Sequence, residues 1–189
     1  MNLPTKLTVL RIIMIPLFVA IYYVSAIPMN YLIAAIIFAL AAFTDFLDGY
    51  IARKYDMVTD LGKFLDPIAD KVLVSSALII MLITPVKGAD ILPYYGAIIV
   101  AVILARELIV SGFRMVAAGK GVVLAADKSG KIKTFSQDVA IIVLLLGAQF
   151  QPGLYTATNI VGLSFLALSA ILTVISGAEC IIKNKGVLK

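Results

Sequence analysis

The sequence predicts an all-α, polytopic membrane protein with six transmembrane helices and both termini on the cytoplasmic side. Three observations predict it. Hydrophobic residues make up 62% of the 189 and charged residues only 14%, too few to cover the surface of a soluble domain of this size. The apolar residues fall into six runs, most of them near the roughly 20 residues that cross a bilayer as a helix. The sixteen Lys and Arg sort almost wholly to one side of the resulting topology. The length accommodates one membrane domain, 1–189, and no second folded unit.

The runs cover 7–27, 31–53, 61–84, 92–118, 133–150 and 155–182. Pro28 and Asn30 separate the first two, and a short polar loop from Lys54 to Asp60 follows the second. Pro85, Gly88 and Pro93 bracket the third break. Gly119 to Lys133 is the longest polar stretch, and Gln151, Pro152 and Gly153 make the last turn. Pro16 and Pro67 fall inside runs and predict kinks. The first run is read as retained, because Arg11 interrupts it early and an apolar stretch long enough to span follows. The small residues Gly162, Ser164, Ser169, Ser176 and Gly177 point to close helix packing in the sixth run.

Charge sets orientation. With the N-terminus in the cytoplasm, only Lys87 falls outside; discounting Arg106 and Arg114, which lie within the fourth run, the balance is 13 to 1. The net charge of +5 is then a topology signal, and nucleic acid is not an expected partner. One cysteine and no histidine exclude an internal disulfide and any nitrogen- or sulfur-rich metal centre. A general base must be a carboxylate, lysine or tyrosine. Cys180 reads as apolar filler.

Against this background eight residues stand out. Asp45, Asp48, Gly49, Ala52, Arg53, Gly62, Asp66 and Asp70 follow the spacing D-x2-D-G-x2-A-R-x8-G-x3-D-x3-D. Charge inside apolar helices is costly and marks function by default. Asp45, Asp48, Gly49, Ala52 and Arg53 share a helix face. Gly62, Asp66 and Asp70 recur every fourth residue on the next helix. The loop between is short, so the two helices are expected as antiparallel neighbours whose four carboxylates converge. Four unpaired carboxylates would repel, and a divalent cation relieves the conflict. Oxygen-only ligation suits Mg²⁺ or Mn²⁺, and four carboxylates leave room for two ions. Gly49 and Ala52 let a bulky group approach the backbone, and Arg53 can grip phosphate oxygens. A structural ion pair would explain one Asp–Arg pair but not eight positions in register.

The strings D-F-L-D-G-Y-I-A-R and G-K-F-L-D-P-I-A-D resemble the signature of the CDP-alcohol phosphatidyltransferases at every fixed position. The resemblance implies a six-helix, metal-dependent membrane enzyme, commonly a homodimer, that displaces CMP from a CDP-linked substrate with a hydroxyl group. It implies that Asp45, Asp48 and Asp66 ligate metal and that Asp70 is the general base, also within reach of a metal. It further implies that Gly49, Ala52, Arg53 and Gly62 receive the CDP-lipid.

Later strings narrow the acceptor. Arg106-Glu107-Leu108, Ser111-Gly112-Phe113-Arg114 and Gly130-Lys131-Ile132-Lys133-Thr134 with Gln137 resemble the phosphatidylglycerophosphate synthase branch of that family. Asn2-Leu3-Pro4, Leu7-Thr8 and Arg11 also fit it, which adds Thr8 to the CDP-lipid side; Thr5 departs, standing where many relatives carry Asn. The branch implies CDP-diacylglycerol and sn-glycerol 3-phosphate as substrates, in a bacterial cell membrane with the site facing the cytoplasm. A dianionic acceptor needs cations apart from the metal, and Arg106, Arg114, Lys131 and Lys133 are the available set. Each also has a structural alternative: Lys131 and Lys133 as loop charge at the start of the fifth helix, Arg106 in an ion pair, and Glu107 paired with Arg114, seven residues on.

Two other classes fit less well. A prenyltransferase also uses paired Asp motifs, but lacks the fused Gly-x2-Ala-Arg element. A cation transporter would hold its carboxylates nearer the midplane than these lie. Inositol phosphate as acceptor would need similar cations, and only the later strings set it aside.

Overall fold

The computed structural model describes residues 2–55, 60–83, 96–120, 122, 128–149, 152–184 and 186, some of them by backbone alone. These form six helices: α1 Leu3–Tyr23, α2 Asn30–Lys54, α3 Asp60–Ile83, α4 Ala97–Gly119, α5 Lys128–Gln149 and α6 Pro152–Lys183. The all-helical expectation holds.

Local chemistry accounts for several ends. Extended Asn2 and the proline in the first turn start α1 four residues before the expected position, because proline at a helix start sacrifices no internal hydrogen bond. Neither Pro16 nor Pro67 breaks its helix. After Tyr23 the chain turns through Pro28 and Met29, the latter left-handed at φ 61°. Asn30 Nδ2 donates to Tyr22 O at 3.0 Å and ties the start of α2 to the end of α1. The fifth helix begins at Lys128, five residues earlier than its apolar run. Lys133 therefore sits more than one turn inside it.

The bundle is apolar outside and mixed inside. Phe46, Ile98, Leu108, Met115, Phe135 and Ile171 are exposed, whereas Thr8, Arg11, Asp48, Lys133 and Gln137 are buried. Apolar faces of this extent need a nonaqueous surround. Among the described residues, four helices, α1, α2, α5 and α6, are long and apolar enough to cross a membrane. Within α3 the described residues include Asp60, Lys63, Asp66, Asp70 and Lys71, and within α4 Arg106, Glu107 and Arg114; these charges keep the two helices below that threshold.

The central core joins Phe18, Phe38, Met81, Ile103, Ile141, Leu144, Leu145 and Leu166. The rings of Phe18 and Phe38 lie 5.8 Å apart at their centroids, and those of Tyr22 and Tyr31 5.4 Å, so aromatic packing joins α1 to α2. A side chain at Gly162 would strike Leu144 at 2.6 Å, and one at Gly177 would strike Arg106 at 2.9 Å. These glycines let α6 close on α5 and α4. Val110, Phe113 and Cys180 form a second, smaller cluster, in keeping with an inert cysteine.

One neighbour relation differs from expectation. α1 packs extensively on both α2 and α3, while α2 and α3 touch each other little. Short loops constrain where helices begin, not which faces meet. The polar contacts also share one end of the bundle. They involve the first half of α1, the second half of α2, the first half of α3, the middle of α4, the first half of α5 and the second half of α6. α1 and α2 thus run antiparallel, as do α5 and α6.

Candidate active site

Arg11 organises the first part of the site. It is fully buried; Nη1 donates to Asp45 Oδ1 at 2.7 Å, Nη2 to Asp48 Oδ2 at 2.6 Å and Nε to Ala41 O at 3.2 Å. The planar fork of the guanidinium suits two carboxylates one helical turn apart. Thr8, one turn earlier on α1, donates to Asp66 Oδ1 at 2.6 Å. Pro4 O at 3.2 Å and Asp48 Oδ2 at 3.4 Å surround the same hydroxyl. Thr8 and Arg11 therefore bridge the aspartates of α2 to those of α3. Asp45, Asp48 and Asp66 lie within electrostatic range of one another, and Asp70 within range of Asp45.

The donor set has the all-oxygen chemistry of a hard divalent cation. Its arrangement is one in which Arg11 supplies the counter-charge. Among the described residues, no three Asp, Glu or Cys side chains are grouped so as to hold a metal ion. Asp48 and Asp66 flank the Thr8 hydroxyl, so aspartates of α2 and α3 meet at one place, with Asp70 in electrostatic range of Asp45. Gly49 is half-buried beside Asp48, and Gly62 is buried one turn before Asp66. The side chains of Ala52, Arg53 and Lys131 lie outside the described residues.

Asp70 opens on the second part, a small, partly open cavity between α3, α4 and α5 lined by Asp70, Lys71, Glu107, Lys133, Thr134 and Gln137 among others. Buried Lys133 pairs with Glu107, so it is no mere loop charge. Lys71 donates to Ser111 Oγ, whose hydroxyl in turn donates to Glu107 O at 2.5 Å. Glu107 also meets Arg106 Nη1 at 3.2 Å. Its described partners are therefore Lys133 and Arg106 rather than Arg114, because a partner across the bundle lies closer than one two turns along the same helix.

The third part anchors α4 to α6. Arg106 Nε donates to Thr173 O at 2.9 Å and Nη2 to Ser176 Oγ at 2.6 Å. With Glu107 on Nη1, each guanidinium nitrogen has a partner, as the structural alternative anticipated. Arg114 differs: its Nε is buried with no hydrogen-bond partner among the described residues. Lys71, Arg106 and Arg114 lie within electrostatic range of one another, and Lys133 within range of Lys71 and Arg106. Such mutually repelling cations suit an anionic ligand.

Sequence reasoning left Arg11 and Lys71 without a role in this site. The signal for Arg11 was its charge inside an apolar helix; for Lys71 it was adjacency to Asp70.

Known proteins match this chain along most of its length. It is 42% identical to CDP-diacylglycerol–glycerol-3-phosphate 3-phosphatidyltransferase of Bacillus subtilis (strain 168), over 100% of this chain and 97% of that protein. It is 42% identical to the protein of the same name in Rickettsia bellii (strain RML369-C), over 93% and 91%. The Shigella flexneri serotype 5b (strain 8401) protein of that name is 37% identical over 91% and 88%. The family model for CDP-alcohol phosphatidyltransferase matches residues 1–175, including every aspartate and cation described above. The chain belongs to the CDP-alcohol phosphatidyltransferase family.

Proposed function

We infer that this protein transfers the phosphatidyl group of CDP-diacylglycerol to sn-glycerol 3-phosphate, giving phosphatidylglycerophosphate and CMP. The observation that carries this is the near-full-length similarity to relatives bearing that name. It is joined by a cavity on which Asp70 and Lys133 both open.

The reaction is a substitution at phosphorus. The primary hydroxyl of the acceptor forms the new P–O bond and gives its proton to Asp70. The bond from that phosphorus to CMP breaks, and CMP leaves with the electron pair. Asp45, Asp48, Asp66 and Asp70 would hold one or two Mg²⁺ or Mn²⁺, which would supply positive charge to the donor diphosphate. Thr8, Gly49, Ala52, Arg53 and Gly62 form the CDP-lipid side. Arg114, Lys131 and Lys133 take the acceptor phosphate. Arg106, tied down at all three nitrogens, adds fixed positive field beside them.

One membrane domain, 1–189, serves this chemistry with six crossings and both termini cytoplasmic. The antiparallel pairs α1–α2 and α5–α6 support that topology, and the lysines around the site support a cytoplasmic face. In a bacterial cell membrane the lipid substrate enters sideways from the cytoplasmic leaflet, and glycerol 3-phosphate arrives from the cytosol. The exposed apolar faces meet lipid and, as the family resemblance suggests, a second copy of the chain in a homodimer.

Purified protein given CDP-diacylglycerol with glycerol 3-phosphate, serine or inositol phosphate separately is expected to release CMP only with the first. Release with another acceptor alone would reject this reading. Arg114→Ala is expected to raise KM for glycerol 3-phosphate about 10- to 100-fold, as loss of a charge-assisted phosphate contact implies, and to leave KM for CDP-diacylglycerol nearly unchanged. Equal effects on both would count against the assigned phosphate site.

A further inference from the structure

The inner wall of the acceptor cavity holds a polar group that the chemistry above does not use. Gln137 lies one helical turn beyond Lys133 on α5 and lines the same cavity as Asp70, Thr134 and Lys133. It is only 3% exposed, and its Nε2 has no hydrogen-bond partner among the described residues. A buried amide donor is normally paired. An unpaired one beside a cavity is matched to a ligand that supplies the missing acceptor.

The acceptor offers such a group. Glycerol 3-phosphate has a phosphate at one end, a primary hydroxyl at the other and a secondary hydroxyl between them. With the phosphate held by cations and the primary hydroxyl at Asp70, the secondary hydroxyl is the remaining polar group that must be desolvated. We propose that Gln137 donates a hydrogen bond to this secondary hydroxyl and so determines specificity for an acceptor that carries it. The proposal rests on the acceptor reading above. The amide takes no part in bond making; it selects which acceptor is held in reacting position.

The test compares glycerol 3-phosphate with 3-hydroxypropyl phosphate, which keeps the phosphate and the primary hydroxyl but has no secondary hydroxyl. Wild-type protein is expected to prefer glycerol 3-phosphate about 10- to 100-fold in kcat/KM, because the analogue leaves the buried amide unpaired. In Gln137→Leu the two acceptors are expected to converge to within about threefold. In Gln137→Asn, whose amide is withdrawn by one methylene, the preference is expected to fall between the two. A preference unchanged in both variants would overturn the proposal and leave Gln137 a packing residue. Absence of preference in wild-type protein would overturn it without recourse to any variant. Absence of CMP release from glycerol 3-phosphate would overturn the acceptor reading, and this proposal with it.

Discussion

Arg11→Ala is expected to destabilise the protein more than any other single change to its polar residues. The guanidinium is fully buried and bonds Asp45, Asp48 and the Ala41 carbonyl. Removing it leaves the nearly buried Asp48 carboxylate and a helix carbonyl without their arginine partner. Breaking a buried ion pair by deleting one member costs about 3–5 kcal/mol, which for a chain of this length lowers the melting temperature by roughly 6–20 °C. Arg11→Lys keeps the charge but cannot reach two carboxylates and a carbonyl with one fork, so it should fall between. Added Mg²⁺ or Mn²⁺ should restore part of the loss in Arg11→Ala, since a cation on Asp45 and Asp48 replaces the missing charge. Thermal unfolding in detergent, with and without divalent ion, reads both effects. A melting temperature within about 2 °C of wild type would mean that Asp48 finds another partner.

That prediction arises from a residue whose importance the sequence only hinted at. Periodicity and hydrophobic run length placed six helices within a few residues of their observed ends. One misjudged end had a polar cause: Lys128 to Ile132 are helical although they read as loop, because hydropathy cannot distinguish a polar helix start from a coil. The aspartate motif was legible because charge in apolar helices has few explanations, and its spacing put Asp66 and Asp70 on one face. What the spacing could not reveal is the partner across the bundle. Asp48 and Asp66 flank the Thr8 hydroxyl, and the guanidinium that α1 adds to Asp45 and Asp48 has no signature in their spacing. Glu107 was matched to Arg114 along its own helix, yet Lys133 reaches it from α5. Local periodicity constrains which residues share a face; tertiary packing decides what that face meets. Gln137 belongs to a string that the sequence singles out, but its place on the cavity wall is visible only in the fold.

The charges that make the site legible also lower the hydropathy of α3 and α4, which the proposed topology counts as crossings. α3 and α4 are as long as α1 and α2, but each carries several ionisable groups that the bundle uses internally. Composition penalises such helices as if every charge met lipid. In the fold these charges meet one another, so α3 and α4 can cross with their polar stripes inward and their apolar residues outward.

Asp70→Asn is expected to lower turnover by about 10²- to 10⁴-fold, the usual contribution of a positioned general base, while leaving CDP-diacylglycerol binding nearly intact. Asparagine has the shape of aspartate, so the cavity should keep its form. Its amide cannot accept the proton that the acceptor hydroxyl must lose as the P–O bond forms. The other carboxylates of the motif are held by Arg11 or Thr8, whereas Asp70 opens on the cavity that also exposes Lys133 and Gln137. It is therefore the carboxylate best placed to meet an acceptor. The measurement is CMP release under saturating substrates, paired with CDP-diacylglycerol binding by titration. Low turnover with retained binding places Asp70 in the chemical step. Low turnover with lost binding would make it a ligand for the donor instead. Near-normal turnover would remove it as the base; with no histidine in the chain, proton acceptance would then pass to another carboxylate, a lysine or a tyrosine, or to an oxygen of the departing CMP.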